Sequence, residues 1–152
     1  MEKTYMEDFT VGEKLISPAR TITESDIHAF AALTGDWHPI HTDVEFAKIT
    51  PFGQRIAHGL LTLCIGTALP FRLGQYVALP KTFMAFYGID KLRFVHPVMI
   101  GDTIHNEVEV LELTAKDDAR GVVTTKHSIK NQRGEDVCVY TTRMLVGRAP
   151  KK

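Results

Sequence analysis

The side chains best suited to chemistry lie in one run, Thr34-Gly35-Asp36-Trp37-His38-Pro39-Ile40-His41-Thr42-Asp43. Asp36 and His41 sit five positions apart with Pro39 between them. Proline lacks an N–H and restricts the residue before it, so no continuous helix runs from one to the other. The chain must turn, and a turn can aim a carboxylate and an imidazole at one point. A carboxylate beside a histidine orients the ring and raises its proton affinity, and histidine titrates near neutrality. Such a pair can hold one water, remove its proton and deliver another, help of a kind that contributes about 10²–10⁴ in rate. The same spacing also suits a turn carboxylate followed by a half-buried, backbone-bonded histidine, so spacing alone leaves both readings open. His38 and His41 form no recognisable ligand signature such as a helical His pair or a Cys pair, and no metal is expected.

Helices must position this run. Thr23-Glu24-Ser25-Asp26 reads as a capping box with Asp in place of Glu, and Ile27, Phe30 and Ala31 follow at helical spacing. That helix should stop near Thr34-Gly35, with Gly35 left-handed. Thr42-Asp43-Val44-Glu45 repeats the signal and should open a short helix through about Lys48, and Pro51-Phe52-Gly53 marks a loop. From Gly59 to about Leu69 almost no polar face remains, which predicts a helix covered on several sides at the centre of the core. Trp37 should anchor its loop by burying its ring.

The second half reads as strands: Thr82–Val95, Thr103–Ala115, Gly121–Asn131 and Glu135–Val146, with an early one around Lys14–Ile22. The apolar phase slips between Val110 and Leu111, which predicts a bulge. Cys138, Tyr140, Met144 and Val146 share one face, as in a sheet packed on one side. The expected architecture is α+β, an antiparallel sheet curled around one buried helix.

Composition narrows the field. A chain of 152 residues predicts a single domain over 1–152. Its 17.0 kDa scale to about 7,700 Å² of folded surface, enough burial for a core without disulfide or metal staples. Lys plus Arg and Asp plus Glu are 18 each, which argues against a nucleic-acid partner, and 44% apolar content argues against disorder. Cys64 and Cys138 are expected as buried free thiols. The first residues lack a signal-peptide pattern and the most apolar run is too short to span a bilayer, so the cytoplasm and no membrane association are expected.

Three segments together resemble a known family. Thr34 to His41 resembles the hydratase signature of the MaoC-like, (R)-specific enoyl-CoA hydratase family, whose fold is the hot-dog. Ile56-Ala57-His58-Gly59-Leu60-Leu61 resembles the entry to that family's central helix. Arg93-Phe94-Val95-His96-Pro97-Val98-Met99-Ile100-Gly101-Asp102-Thr103 resembles its later strand–turn pattern. The resemblance runs in order over about residues 10–146. It departs at His38, where the family commonly has Asn; His38 reads best as a tolerated turn residue and otherwise as a titratable group facing the site.

The resemblance implies reversible addition of water to a trans-2-enoyl thioester, with Asp36 and His41 holding the water. It places the Gly59 N–H against the thioester carbonyl, where a helix start offers unpaired amides and positive potential. His58 is then a structural neighbour of that donor. No cofactor is required, because CoA belongs to the substrate, and Arg55, Arg72 or Arg93 could meet its phosphates. A homodimer with substrate tunnels near the interface is implied, and the substrate is an acyl-CoA or acyl-carrier thioester. Two other readings remain: an acyl-CoA thioesterase of the same fold, and a non-catalytic acyl-thioester binding protein. Pocket depth would depend on Phe71, Leu73, Phe83, Met84 and Phe86.

Overall fold

The computed structural model describes residues 1–151. After a 3₁₀ turn at Met6–Asp8, strands β1 (Lys14–Ile16) and β2 (Arg20–Thr21) precede helix α1 (Glu24–Thr34). Helices α2 (Pro39–Thr42), α3 (Val44–Lys48) and α4 (Gly59–Ala68) follow, then a 3₁₀ segment at Leu69–Leu73 and α5 (Gln75–Ala78). Four long strands complete the chain: β3 (Phe83–Phe94), β4 (Thr103–Ala115), β5 (Arg120–Lys130) and β6 (Asp136–Gly147). They form an antiparallel sheet in the order β1-β4-β5-β6-β3, with β2 pairing β4 beyond β1.

Local chemistry explains these boundaries. Thr23 caps α1 through a complete capping box with Asp26, and Gly35 ends it at φ 80°. Asp43, rather than Thr42, caps α3 by accepting from Phe46 N–H. The expected early strand is broken at Ser17-Pro18-Ala19, because proline cannot donate to a ladder. The bulge lies where the phase slips, between Val110 and Glu112.

One face of the sheet packs on α4. Leu61, Leu63 and Leu69 join Ile104, Ile129, Cys138 and Tyr140 in the main core. Gly66 lets the helix approach: a Cβ there would run into the Ile129 side chain. A second cluster, with Met6, Phe9, Val110, Val123, Met144 and Val146, lies under the N-terminal arm.

Three expectations are corrected. α4 is not covered all round: Leu60, Cys64 and Ala68, at a spacing of four, form an exposed stripe. Cys64 is therefore an exposed thiol, and only Cys138 is buried. Trp37 stays 53% exposed, with His28 as its ring neighbour at 6.4 Å, so it does not anchor the loop by burial. In both cases a residue suited to burial faces a side that this chain leaves open. No helix among the described residues is long and apolar enough to cross a membrane.

Candidate active site

The loop between α1 and α2 is set by its own polar groups. Thr34 Oγ1 donates to Phe30 O and accepts from Asp36 N–H. Asp36 Oδ1 then accepts from His38 N–H at 3.3 Å. His38 caps α2, its Nδ1 accepting from Ile40 N–H at 3.2 Å, and Pro39 occupies the first helical position, which needs no N–H. His38 is thus a turn residue here, with its ring 6.3 Å from that of His41.

One turn of helix carries His41 to the mouth of the following loop. His41 Nδ1 lies 2.8 Å from Ile56 O. A carbonyl only accepts, so Nδ1 carries the proton and Nε2 keeps its lone pair. Ile56 is held in turn: its N–H donates to Ile40 O, and it bridges Met99. Burial first, then the neighbouring His58, pulls the His41 pKa below its ordinary value, against the opposing pull of Ile56 O and Asp36. His41 is therefore neutral near pH 7.

His58 ties the parts together. Its Nε2 donates to the backbone O of Asp36 at 3.0 Å, and its ring stacks on His41 with centroids 3.9 Å apart. Phe30 lies on it at 5.0 Å. The residue is buried, and its Nδ1 has no hydrogen-bond partner. Asp36, His41 and His58 bring one oxygen or nitrogen each within 4.8 Å of one another. The two imidazole planes are inclined at 27°, and with His41 Nδ1 and His58 Nε2 engaged by backbone carbonyls one ring nitrogen of each is left over.

Gly59 opens α4 directly after His58, so its N–H belongs to the first turn, whose amides have no partner within the helix. A Cβ at this position would press on the Phe94 ring at 3.1 Å, so glycine permits both this contact and ligand approach. A cleft of about 350 Å³ lies against it, walled by Phe52, Ile56, Thr62, Phe94 and Val137 among others. Asp36 and His41 do not line that cleft. They sit at its side, joined to it through Ile56 and His58, and Asp36 is exposed.

A second, more apolar cavity of about 260 Å³ lies between the sheet and the segment after α4. Phe71, Phe83 and Phe86 line it; Leu73 and Met84 do not. Of the basic residues named for phosphates, Arg55 is paired with Glu24 at 2.8 Å and Arg72 donates to Ala19 O. Sequence reasoning missed the carbonyl of Ile56 and the ring of Phe94. Both lie within the segments that resemble the family, but a backbone acceptor and a ring contact leave no sequence signal of their own.

Residues 8–132 match the MaoC like domain, and the chain belongs to that family. It is 44% identical over 109 residues to a 3-hydroxybutyryl-CoA dehydratase from Methylorubrum extorquens, covering 72% of this chain and 65% of that protein. It is 40% identical over 109 residues to an (R)-specific enoyl-CoA hydratase from Rhodospirillum rubrum, covering 72% and 71%. Protein MaoC from Klebsiella aerogenes is 34% identical over 134 residues, 88% of this chain but only 34% of that longer protein. Among solved structures, a monoamine oxidase regulatory protein from Archaeoglobus superposes with TM-score 0.90 at 43% identity, covering 97% of both chains. The fold is the hot-dog, an α+β sheet packed on a central helix, shared with a double-hot-dog protein from Mycobacterium tuberculosis.

Proposed function

We propose that this protein is an (R)-specific 2-enoyl-CoA hydratase, and in reverse a 3-hydroxyacyl-CoA dehydratase. The observation that carries the reading is the bond from His41 Nδ1 to Ile56 O, which leaves Nε2 as a free base within the Asp36–His41–His58 cluster. Family membership and the names of the relatives support it.

In this reading one water lies between the Asp36 carboxylate and His41 Nε2. The pair removes a proton as the water oxygen bonds to the β-carbon. The π electrons move through the α-carbon onto the thioester oxygen, and the Gly59 N–H donates a hydrogen bond to the enolate oxygen that forms there. A proton returned to the α-carbon completes the addition. One preorganised donor of this kind lowers the barrier by about 3–4 kcal/mol. No cofactor enters, since CoA is part of the substrate. The acyl chain occupies the apolar cavity behind Phe71, Phe83 and Phe86.

We infer also that the working form is a homodimer. Strand β3 is a sheet edge that leaves Phe83, Met84, Phe86 and Tyr87 exposed, and α4 leaves its Leu60–Cys64–Ala68 stripe exposed as well. A two-fold pairing of β3 with itself buries this edge, and it brings the Phe94 and Gly59 end of one copy beside the Phe83 end of the other.

Incubation with crotonyl-CoA, followed by both enone absorbance and free thiol, tests the activity. Loss of absorbance without thiol is the expected result. Thiol release without prior hydration makes the protein a thioesterase, and no change in either signal leaves a binding module.

A further inference from the structure

The apolar cavity ends on charge. On the β3 side its lining includes the exposed rings of Phe83 and Phe86, with Phe71 from the segment after α4 beside them in the same lining. It crosses beneath β6, β5 and β4 to Leu15 on β1, four strands away, a width of about 19 Å at ordinary strand spacing. At that far side stands Glu13, and Lys3 reaches it: Lys3 Nζ lies 2.6 Å from Glu13 Oε1. Both residues line the cavity. The Lys3 side chain keeps 8% of its exposure, against 34% for Glu13, and its ammonium also lies 5.0 Å from the centre of the Phe9 ring. The backbone of Lys3 is pinned on both sides, donating to Tyr76 O at 2.8 Å and accepting from Lys81 N–H at 3.0 Å.

We propose that the Lys3–Glu13 ion pair is the end wall that sets the longest acyl chain this protein accepts, which makes the N-terminal arm a specificity element. The proposal rests on the reading that the cavity holds the acyl chain of a thioester. A methylene entering apolar surroundings strengthens binding about fourfold. One pressed against the ion pair gains nothing comparable, because it must displace the water that still reaches Glu13. The pair cannot part to make room, since a buried ammonium without its partner is strongly unfavourable and the Lys3 backbone is held. An apolar end wall would yield by a rotamer change; this one does not.

Saturated acyl-CoAs from butyryl to hexadecanoyl, titrated by calorimetry, test the wall apart from the reaction. In the wild type, affinity should climb about fourfold per methylene and then level. In Lys3→Ala/Glu13→Ala the climb should continue by two or more methylenes, so that the longest chains bind at least tenfold more tightly relative to butyryl. Replacing a buried pair by apolar residues is tolerated by many folds. Lys3→Met/Glu13→Leu therefore serves as the second variant, with the same direction of change expected, and it decides the matter if the alanine pair does not fold. A levelling point unchanged in a folded variant overturns the proposal, as does a wild type that binds no acyl-CoA. Wild-type enoyl hydration is read separately: a shifted levelling point with no hydration upholds the wall and rejects the hydratase.

Discussion

Two carbonyl oxygens decide the protonation of the site. Ile56 O fixes the proton of His41 on Nδ1, and Asp36 O fixes that of His58 on Nε2. Because burial lowers the His41 pKa, its free base form persists below the ordinary value of 6.5. The acidic limb of kcat/KM for crotonyl-CoA should therefore have its midpoint below pH 6.5, and a midpoint above it would show that His41 is not the group that must be neutral. A second histidine governs stability. His127 is buried, and its pKa is pushed down to about 4 by desolvation. The unfolded chain takes up this proton near pH 6.5 while the folded chain does not, so stability falls as pH drops through that interval. The expected loss is about 3 kcal/mol by pH 4. Denaturant unfolding of His127→Gln at pH 7 and pH 4 should show that much less pH dependence than wild type; an equal slope would place the titration elsewhere.

His127 belongs to a network whose direction follows from one element. Gly66 O on α4 accepts from Asn106 Nδ2, and the same amide donates to His127 Nδ1. His127 Nε2 then carries the proton toward Thr125 Oγ1 at 2.9 Å. The contact of α4 with the sheet is therefore both apolar and polar at Gly66. Gly66→Ala should lower stability by about 1–3 kcal/mol through overpacking against Ile129. That corresponds to several degrees of melting temperature for a chain of this length, readable by calorimetry, and an unchanged melt would mean the helix has slack. Elements like these were legible where the signal is local. The capping box at Thr23, the stop at Gly35 and the bulge after Val110 each follow from a few adjacent residues. The one-turn helix at Pro39–Thr42 was expected only as a turn, since four residues carry no periodicity. The single early strand expected around Lys14–Ile22 takes no account of Pro18, whose missing N–H divides it into two short strands.

At the scale of the molecule, the sequence misjudged what faces outward. Trp37, Leu60 and Cys64 are of types that suit burial, and each is exposed. A single sequence records that a surface is apolar without recording which chain covers it. The described surface is 8383 Å², against about 7,700 Å² expected of a monomer this size. Sedimentation at micromolar concentration should give a dimer, and Leu60→Glu/Met84→Arg should give a folded monomer with little hydration activity. A monomeric wild type would leave the β3 edge unexplained. The site was legible in the same graded way. Proline chemistry shows that a turn can bring Asp36 and His41 together, but it was the resemblance to the family that singled them out and that gave the Gly59 N–H its role; the apolar run after Gly59 marked only the helix. The stacking of His58 on His41 follows from none of these, because it joins segments seventeen positions apart.

The most direct measurement is the rate of crotonyl-CoA hydration by Asp36→Asn and by His41→Ala, with thermal melting recorded beside it. Each variant should lose at least a hundredfold in kcat, on the scale of about 10²–10⁴ that proton transfer contributes, while melting close to wild type. Full activity in either folded variant would contradict the shared water between these two side chains.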